Sequence, residues 1–399
     1  MNAMENYKII VDQIFERSID IPDNGNTNNC IGALNSEDNF IVFRNNFIEM
    51  IKRLCLKYRG DEEAIANLVK TLRDLSLAKG YKWSGPYSEL VALDYWSQYK
   101  NLMNLKYVHR GSVDAFPDSI AKAVGQAEID LDLSFDLSFC KIYMDVKSLI
   151  PTHLELVDQI FEKLNAKTGS SDYLIGIDDL FEVDYLRTKK DYIYELREGT
   201  LITKLAECIN EKKTYYEHTL LSGEKAKFRI AYSGSGRNTV LTTQRSMYPY
   251  RLAVDYKYKV LDYYNKLLKG EPSLLTFVTN PWFNKEMNDF DGFNEIFYRS
   301  LARRVFIELG RNDEDMGAYY PDLVGKGLKI SDVAKCITGI VFIDDNSVMK
   351  SDKELYKAYI YTNPNAVNKR LSKYDFDILH WSSDSIQPSM IDDFRYDNY

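Results

Sequence analysis

Two short runs of the sequence set charged residues in alternation with apolar ones: Ile129-Asp130-Leu131-Asp132-Leu133 and Met144-Asp145-Val146-Lys147. Residues two apart on an extended strand project from the same face. Asp130 and Asp132 therefore share a face of one strand, and Asp145 and Lys147 a face of the next. If the strands are neighbours, three carboxylates and one ammonium meet in a single patch. Carboxylates crowded in this way repel, and without compensation one of them takes up a proton at neutral pH. A divalent cation removes the conflict. Such an ion bridges a phosphate oxygen and a water, lowers the water's pKa and stabilises charge developing at phosphorus, while a lysine adds a point charge or orients the attacking water. Glu89 is a fourth candidate acid. Its neighbours at helical spacing are Ala92, Leu93 and Trp96, so it faces protein rather than bulk water and needs a partner. Asp94, five positions further on, points to a different face and has the weaker claim. Each feature also has a plainer reading: two aspartates on a half-buried strand are a solvated face, and Glu89 is a glutamate at the edge of a packed helix. An acid-x-Lys triplet recurs at Glu211-Lys212-Lys213 and Asp255-Tyr256-Lys257. Only the one at Asp145 follows another strand with acids on the matching face.

The elements that must position these groups are legible as patterns. Ile129 to Phe135 alternates with period two and predicts one strand, and Cys140 to Leu149 predicts a second. Only Asp136 to Phe139 connects them, so they are expected to form an antiparallel hairpin. Ser84-Gly85-Pro86 opens a helix expected to run from Tyr87 to about Leu102 and to carry Glu89. The first 80 residues read as helical, with Phe43, Phe47, Ile48, Ile51 and Leu54 on one face and Asp61 opening a further helix that ends at Gly80. Downstream, helices are expected near 153–165 and 200–217, and strands at Phe228–Tyr232, Leu274–Thr279, Ile337–Ile343 and Tyr356–Tyr361. The fold class is mixed α/β (α+β), with a central, mostly antiparallel-edged mixed sheet flanked by helices.

Helix-borne Glu89, Ala-Glu-Ile-Asp-Leu-Asp at 127–132 and Tyr-Met-Asp-Val-Lys-Ser at 143–148 together resemble the PD-(D/E)XK superfamily, the restriction endonuclease-like nucleases. The resemblance covers about 60 residues. It implies a restriction endonuclease-like core in which Glu89, Asp130 and Asp145 are catalytic acids, Lys147 is the catalytic lysine, and Glu89, Asp130, Asp132 and Asp145 are the metal-ligating set. No proline precedes Asp130, and Asp132 is an equal candidate for the strand acid. The implied cofactor is Mg2+ or Mn2+, and the implied activity is hydrolysis of phosphodiester bonds in DNA, with restriction or defence as the role by analogy. Weaker substrate-binding candidates are Gln159, on the helix after the lysine strand, and Arg237 in Ser233-Gly234-Ser235-Gly236-Arg237, which reads first as a flexible turn. Lys100, Lys106, His109 and Arg110 upstream of the acids, and Arg229, Arg237, Arg245 and Arg251 beyond them, interleaved with tyrosines, could follow a nucleic-acid backbone, against the default of solvated surface charge. The domain reading is a helical module at 1–80, the nuclease-like domain at 81–375 with a helical insertion at about 151–220, and an acidic aromatic tail at 376–399. Nucleic acid, DNA first, and a second copy of the chain are the expected partners.

Composition sets the limits on this reading. The 399 residues carry a net charge of −8 with a pI near 5.3, which argues against nonspecific DNA coating as the main task. A nuclease remains allowed, because it needs only a local basic strip. The five cysteines lack a Cys-x-x-Cys pair and the four histidines lack a His-x-x-x-His pair, so zinc has no obvious ligands and oxygen ligation is favoured. No run approaches ~18 uninterrupted apolar residues, so no membrane partner and a cytoplasmic location are expected. The main rival is a non-catalytic nucleic-acid- or protein-binding protein with a nuclease-like fold. A second rival, suggested by the 30 tyrosines and paired acids, is a carbohydrate-active hydrolase.

Overall fold

A computed structural model describes residues 3–16, 28–36, 39–99, 102–107, 111–137, 140–149, 152–169, 172–178, 185–232, 239–242, 249–282, 292–349, 355–368, 371, 375–376 and 389–391. The chain divides into two compact units. The first comprises Met1–Leu149, Tyr263–Asn312 and Ser331–Tyr399, and the second Ile150–Asp262 and Asp313–Ile330. Among the described residues no helix is long and apolar enough to cross a membrane.

The first unit begins with helices α1 (Ala3–Phe15), α2 (Asn29–Leu34), α3 (Ile41–Lys57), α4 (Glu62–Leu77) and α5 (Ser84–Ser97). The Asp61 carboxylate accepts from the Ala64 amide at 3.1 Å and caps α4, as its position before the apolar stripe predicts. Asn28 caps α2 in the same way and donates its amide to the Leu75 carbonyl, fastening α2 to the end of α4. Helix α5 is buried around nearly its whole circumference, from Tyr87 and Ser88 through Leu90 to Trp96. A helix apolar all round belongs in the core. It ends at Ser97, five residues before the expected stop.

Next come β1 (Met103–Tyr107), β2 (Gly111–Ser112), the short α6 (Ile120–Ala123), β3 (Glu128–Ile129), β4 (Leu133–Leu137) and β5 (Cys140–Ser148). The expected hairpin is present: β4 and β5 pair antiparallel, with Leu133 opposite Met144 and Leu137 opposite Cys140. The single strand expected over Ile129–Phe135 is not formed. Ile129 pairs with Gly111 in a separate two-stranded ladder, Asp130 to Asp132 leave the strand, and pairing resumes at Leu133. The cause lies in the partners: β2 takes Ile129, and the Asp132 side chain takes the Val146 amide in place of a backbone rung.

The second unit holds α7 (Thr152–Thr168), β6 (Tyr173–Asp178), α8 (Tyr185–Arg197), α9 (Leu201–Asn210), β7 (Tyr215–Thr219), β8 (Lys225–Tyr232), β9 (Thr239–Thr242) and α10 (Pro249–Tyr256). The stretch 151–220 thus contains strands as well as helices. The helix expected over 200–217 stops at Asn210, because Lys212 turns to positive φ and the aromatic, β-branched run Thr214-Tyr215-Tyr216 leads into a strand. Four strands form a sheet in the order β7-β8-β6-β9.

The chain then returns to the first unit with β10 (Ser273–Thr279) and α11 (Phe293–Arg303), and after α12 (Ile330–Cys336) adds β11 (Gly339–Asp345), β12 (Tyr356–Thr362) and β13 (Ser389–Ile391). A seven-stranded mixed sheet results, in the order β1-β4-β5-β10-β11-β12-β13. Its middle strands β5, β10 and β11 run parallel, and the pairs on either side of them, β4–β5 and β11–β12, are antiparallel. Strands β10 and β11 read as nearly continuous apolar runs because both faces are covered. Phe342 stacks on Tyr298 of α11 at 4.2 Å between ring centroids and on Phe277 at 5.8 Å, which ties that helix to the sheet.

Candidate functional site

The site is built where β5 passes from its antiparallel neighbour to its parallel one. Asp145 lies opposite Leu275 of β10, one residue beyond the last β4–β5 pair, so its side chain leaves the sheet in its middle rather than at an edge. It is only 1% exposed. Lys147 shares its face, as the period of two requires, and its ammonium stands 2.9 Å from Asp145 Oδ1 and 3.6 Å from Asp132 Oδ2. The Tyr263 ring lies 5.6 Å from the same ammonium, a cation–π distance. Asp132 is fixed by two backbone bonds: its amide donates to Met144 O at 3.1 Å and its Oδ2 accepts from Val146 at 2.6 Å.

Glu89 reaches this group from α5. The helix is held against β5 near its start by a 2.8 Å hydrogen bond between the hydroxyls of Ser84 and Ser148. Glu89 is half-buried while the residues on either side are buried, and it is close enough to feel the charges of Asp132, Lys147, Asp130 and Asp145. Burial pushes its carboxyl up to about 8, with Asp132 adding to the rise and Lys147 opposing it. Burial likewise pushes Asp145 up to about 7, against the pull of Lys147. Burial alone lowers the Lys147 pKa, but Asp145, Asp132 and Glu89 outweigh it, so the ammonium stays charged.

The two strand aspartates therefore part company. Asp132 joins Asp145 and Lys147, whereas Asp130 has a side chain 54% exposed and bonds to Lys266 at 2.9 Å. Lys266 was not a sequence candidate. It closes the 3-10 run Lys259–Lys266, its side chain is 15% exposed, and its ammonium is also 4.0 Å from Asp145 Oδ1. Only the fold brings it near Asp145, and no motif around it signals that role. Asp94 is fully buried elsewhere, bound by Arg53 through two hydrogen bonds and by Tyr356 at 2.8 Å. Gln159 is exposed on α7 of the second unit. Lys100, His109, Arg110, Arg237 and Arg245 lie outside the described residues, as does the Ser233–Gly236 turn.

A further acidic pair, Asp344 and Asp345, sits at the end of β11. Asp344 accepts from Thr279, Tyr298 and Asn294, and Asp345 from Tyr87, Asn280 and the Ser347 amide. Both are satisfied by protein donors, which makes them joints of the core rather than reactive groups. Asp145 is different. Its Oδ1 is met by the Lys147 ammonium at 2.9 Å, with Lys266 at 4.0 Å, and its Oδ2 has no donor among the described residues.

Whether the cluster suits a metal ion follows from these contacts. Among the described residues, no three His, Cys, Asp or Glu side chains are gathered closely enough to hold one. Lys147 occupies the cationic position between Asp132 and Asp145. The chemistry of the donors nevertheless fits a hard divalent cation: they are all oxygen, two are carboxyls driven toward protonation by burial and mutual repulsion, and Asp145 Oδ2 has no protein donor among the described residues. No family model, curated protein or solved structure matches this chain.

Proposed function

We propose that the Glu89, Asp132, Asp145 and Lys147 cluster hydrolyses phosphodiester bonds in DNA with the help of a divalent metal ion, as the resemblance to PD-(D/E)XK nucleases implies. The observation that carries this reading is Asp145, a carboxyl buried in the middle of the sheet whose Oδ1 meets the charged Lys147 at 2.9 Å and whose Oδ2 has no hydrogen-bond donor among the described residues. A buried carboxyl pushed toward protonation beside a lysine is the kind of perturbed pair that functional sites hold more often than structural ones. Glu89, Asp132 and Asp145 would hold Mg2+ or Mn2+. When bound, the ion would supply Lewis acidity and an activated water. Asp145 and Glu89 would be ionised in that state, and Asp132 is already oriented by the Val146 amide. Lys147 would then turn from Asp132 and Asp145 toward the scissile phosphate. Asp130, paired with Lys266, is assigned a supporting rather than a ligating part.

The test is cleavage of plasmid and linear DNA with Mg2+ or Mn2+ by the wild-type protein, Asp145→Asn and Lys147→Ala. Loss of at least about 100-fold in both variants is expected from the size of single catalytic contributions. Equal rates in all three would assign the cleavage to a contaminant. One observation favours the rival, non-catalytic reading: Lys147 already neutralises the acids, and no three are gathered as a ligand set. That reading expects no metal-dependent cleavage, and binding of partners unaffected by Asp145→Asn.

A further inference from the structure

Two lysines from distant parts of the chain converge on one buried oxygen. Lys147 belongs to β5 and shares the face of Asp145 through the period of two. Its ammonium lies 2.9 Å from Asp145 Oδ1 and 3.6 Å from Asp132 Oδ2. Lys266 ends the 3-10 run Lys259–Lys266, and its ammonium lies 4.0 Å from the same Oδ1 and 2.9 Å from Asp130 Oδ2. The backbone next to Lys266 is pinned. Leu267 O accepts from the Ile120 amide at 3.0 Å, and the Leu268 amide donates to Oγ of Ser273, the first residue of β10, at 2.9 Å. The Leu268 side chain packs in an apolar cluster with Ile129 and Leu131. Leu131 stands between Asp130 and Asp132 in the chain, so the packing that seats those two acids also seats the root of the lysine. Beyond its root, each lysine is a flexible stem ending in a compact point charge, able to move while the backbone stays in place.

This is a crowded setting for two ammoniums. They share Asp145 Oδ1 as a neighbour, where the Lys147 side chain is 27% exposed and that of Lys266 15% exposed, so water screens their mutual repulsion poorly. Asp130, Asp132 and Asp145 hold them there. Even so, Asp145 Oδ2, in a residue only 1% exposed, has no donor among the described residues. The two ammoniums thus spread two positive charges over three carboxyls and leave the deepest oxygen unmet. A divalent ion carries the same charge at one point and takes oxygen ligands at about 2.0–2.6 Å, closer than either ammonium approaches. Ion and ammoniums exclude each other, because an ammonium at hydrogen-bond distance from a metal-ligating oxygen stands against the charge of the ion. Entry of the ion therefore turns both lysines out, and the displaced ammoniums then need a new counter-charge.

We propose that Lys147 and Lys266 together stand in for a divalent cation at Asp145 and pass to a phosphate group when the cation binds, so that metal and phosphate enter the site cooperatively. The inference rests on the metal reading of this cluster and deepens it with a condition for metal entry and a second phosphate-contacting lysine, Lys266. Without phosphate, the ion must displace two ammoniums that have no other partner, and it binds weakly. Without the ion, a phosphate meets ammoniums that the acids already neutralise, and it too binds weakly. Each ligand removes the obstacle to the other. That is positive coupling, and linkage makes it equal in both directions. The device holds a hydrolytic metal back until a phosphodiester is present.

The experiment follows Mn2+ binding to the full chain at neutral pH by loss of the free-ion electron paramagnetic resonance signal. Titrations are run with and without inorganic phosphate as the probe, and a protein-free titration corrects for the Mn2+–phosphate complex. Wild type, Asp145→Asn, Lys147→Gln and Lys266→Gln are compared once circular dichroism and thermal melting show each to be folded. In the wild type, phosphate should tighten Mn2+ binding about 10-fold, within the range usual for coupled sites, and Asp145→Asn should abolish the phosphate-sensitive binding. Each lysine variant should bind Mn2+ several-fold tighter than wild type without phosphate and gain less when phosphate is added. Lysines that merely orient the acids predict unchanged or weaker Mn2+ binding on their removal. Should Lys147→Gln fail to fold, Lys266→Gln decides alone, since its closest partner Asp130 is largely exposed. The proposal is overturned, with the metal reading left standing, if phosphate leaves wild-type Mn2+ affinity unchanged, or if the lysine variants keep wild-type coupling or bind Mn2+ no more tightly than wild type. Absence of any Mn2+ binding that depends on Asp145, with or without phosphate, overturns both.

Discussion

Asp145 ties the candidate chemistry to a measurable dependence of stability on pH. Its carboxyl ordinarily titrates at 3.8, and in the folded chain it is pushed up to about 7. A carboxyl whose folded value is raised binds its proton more tightly in the native state. Its contribution is fully present below the unfolded pKa and is lost as pH rises toward the folded value. A gap of about 3 units at roughly 1.4 kcal/mol each amounts to about 4 kcal/mol over the whole window, of which about 2–3 kcal/mol falls between pH 5 and pH 8. Glu89, also raised, adds in the same direction. Lys147 does not titrate in this range, because its raised value moves its own transition further into the alkaline. The wild-type protein should therefore melt several degrees higher at pH 5–6 than at pH 8, at about 2–4 °C per kcal/mol for a large unit. Asp145→Asn, which keeps the shape without the ionisation, should flatten the slope and be the more stable protein at pH 8. Thermal melting monitored by near-ultraviolet circular dichroism, in matched buffers without divalent ions, makes the comparison. Added Mn2+ at pH 8 should stabilise the wild type and leave the Asn variant unchanged if the acids take a metal. A wild-type melting temperature that is flat from pH 5 to pH 8, or an Asn variant less stable than wild type at pH 8, would refute the reasoning about this carboxyl.

Three further perturbations test the surrounding structure. Arg53→Ala removes the two hydrogen bonds that compensate the buried Asp94 carboxylate, leaving only Tyr356, and should cost about 3 kcal/mol in denaturant unfolding; Arg53→Ala with Asp94→Asn should recover part of that loss. Gly199→Ala places a Cβ against the Glu195 side chain and backbone, so it should disturb the Glu195 contacts with the Leu201 amide and His218 and destabilise the second unit by about 1–3 kcal/mol, read as faster amide exchange along α8 and β7. Lys266→Gln releases Asp130, which is largely exposed, and should change stability by less than about 1 kcal/mol. If the cluster is hydrolytic, the same change should lower the cleavage rate, because it withdraws an ammonium 4.0 Å from Asp145.

Much of this arrangement was legible from residue order because it is local. The β4–β5 hairpin, the shared face of Asp145 and Lys147 and the inward setting of Glu89 each follow from a spacing of two, three or four residues, and each is found. The mixed sheet flanked by helices also follows from the alternation of patterns, and the strands at 274–279, 337–343 and 356–361 fall within a few residues of their expected limits. What failed was set by partners distant in sequence. The run Ile129–Phe135 alternates like one strand, but it is divided between two ladders because β2 claims Ile129 and the Asp132 side chain claims the Val146 amide. Periodicity does not register which neighbour is available. Lys266 was invisible for the same reason: it stands in a turn-rich run, and only the placement of β10 beside β5 brings it to Asp130 and Asp145. The split between Asp130 and Asp132, which the residue pattern left open, is likewise decided by that lysine.

The order of strands also bears on how the chain is made. β5 ends at Ser148 and its parallel neighbour β10 begins at Ser273, so the middle of the large sheet joins segments separated by the bulk of the second unit. At translation rates of roughly 5–20 residues per second, the hairpin that carries Asp145 emerges from the ribosome and waits on the order of 6–25 seconds with an unpaired edge. Open edges of that kind recruit other strands. The charged residues that later line the cluster lie on this same nascent edge strand, where Asp145 and Lys147 would discourage the wrong pairing until the right one has been synthesised.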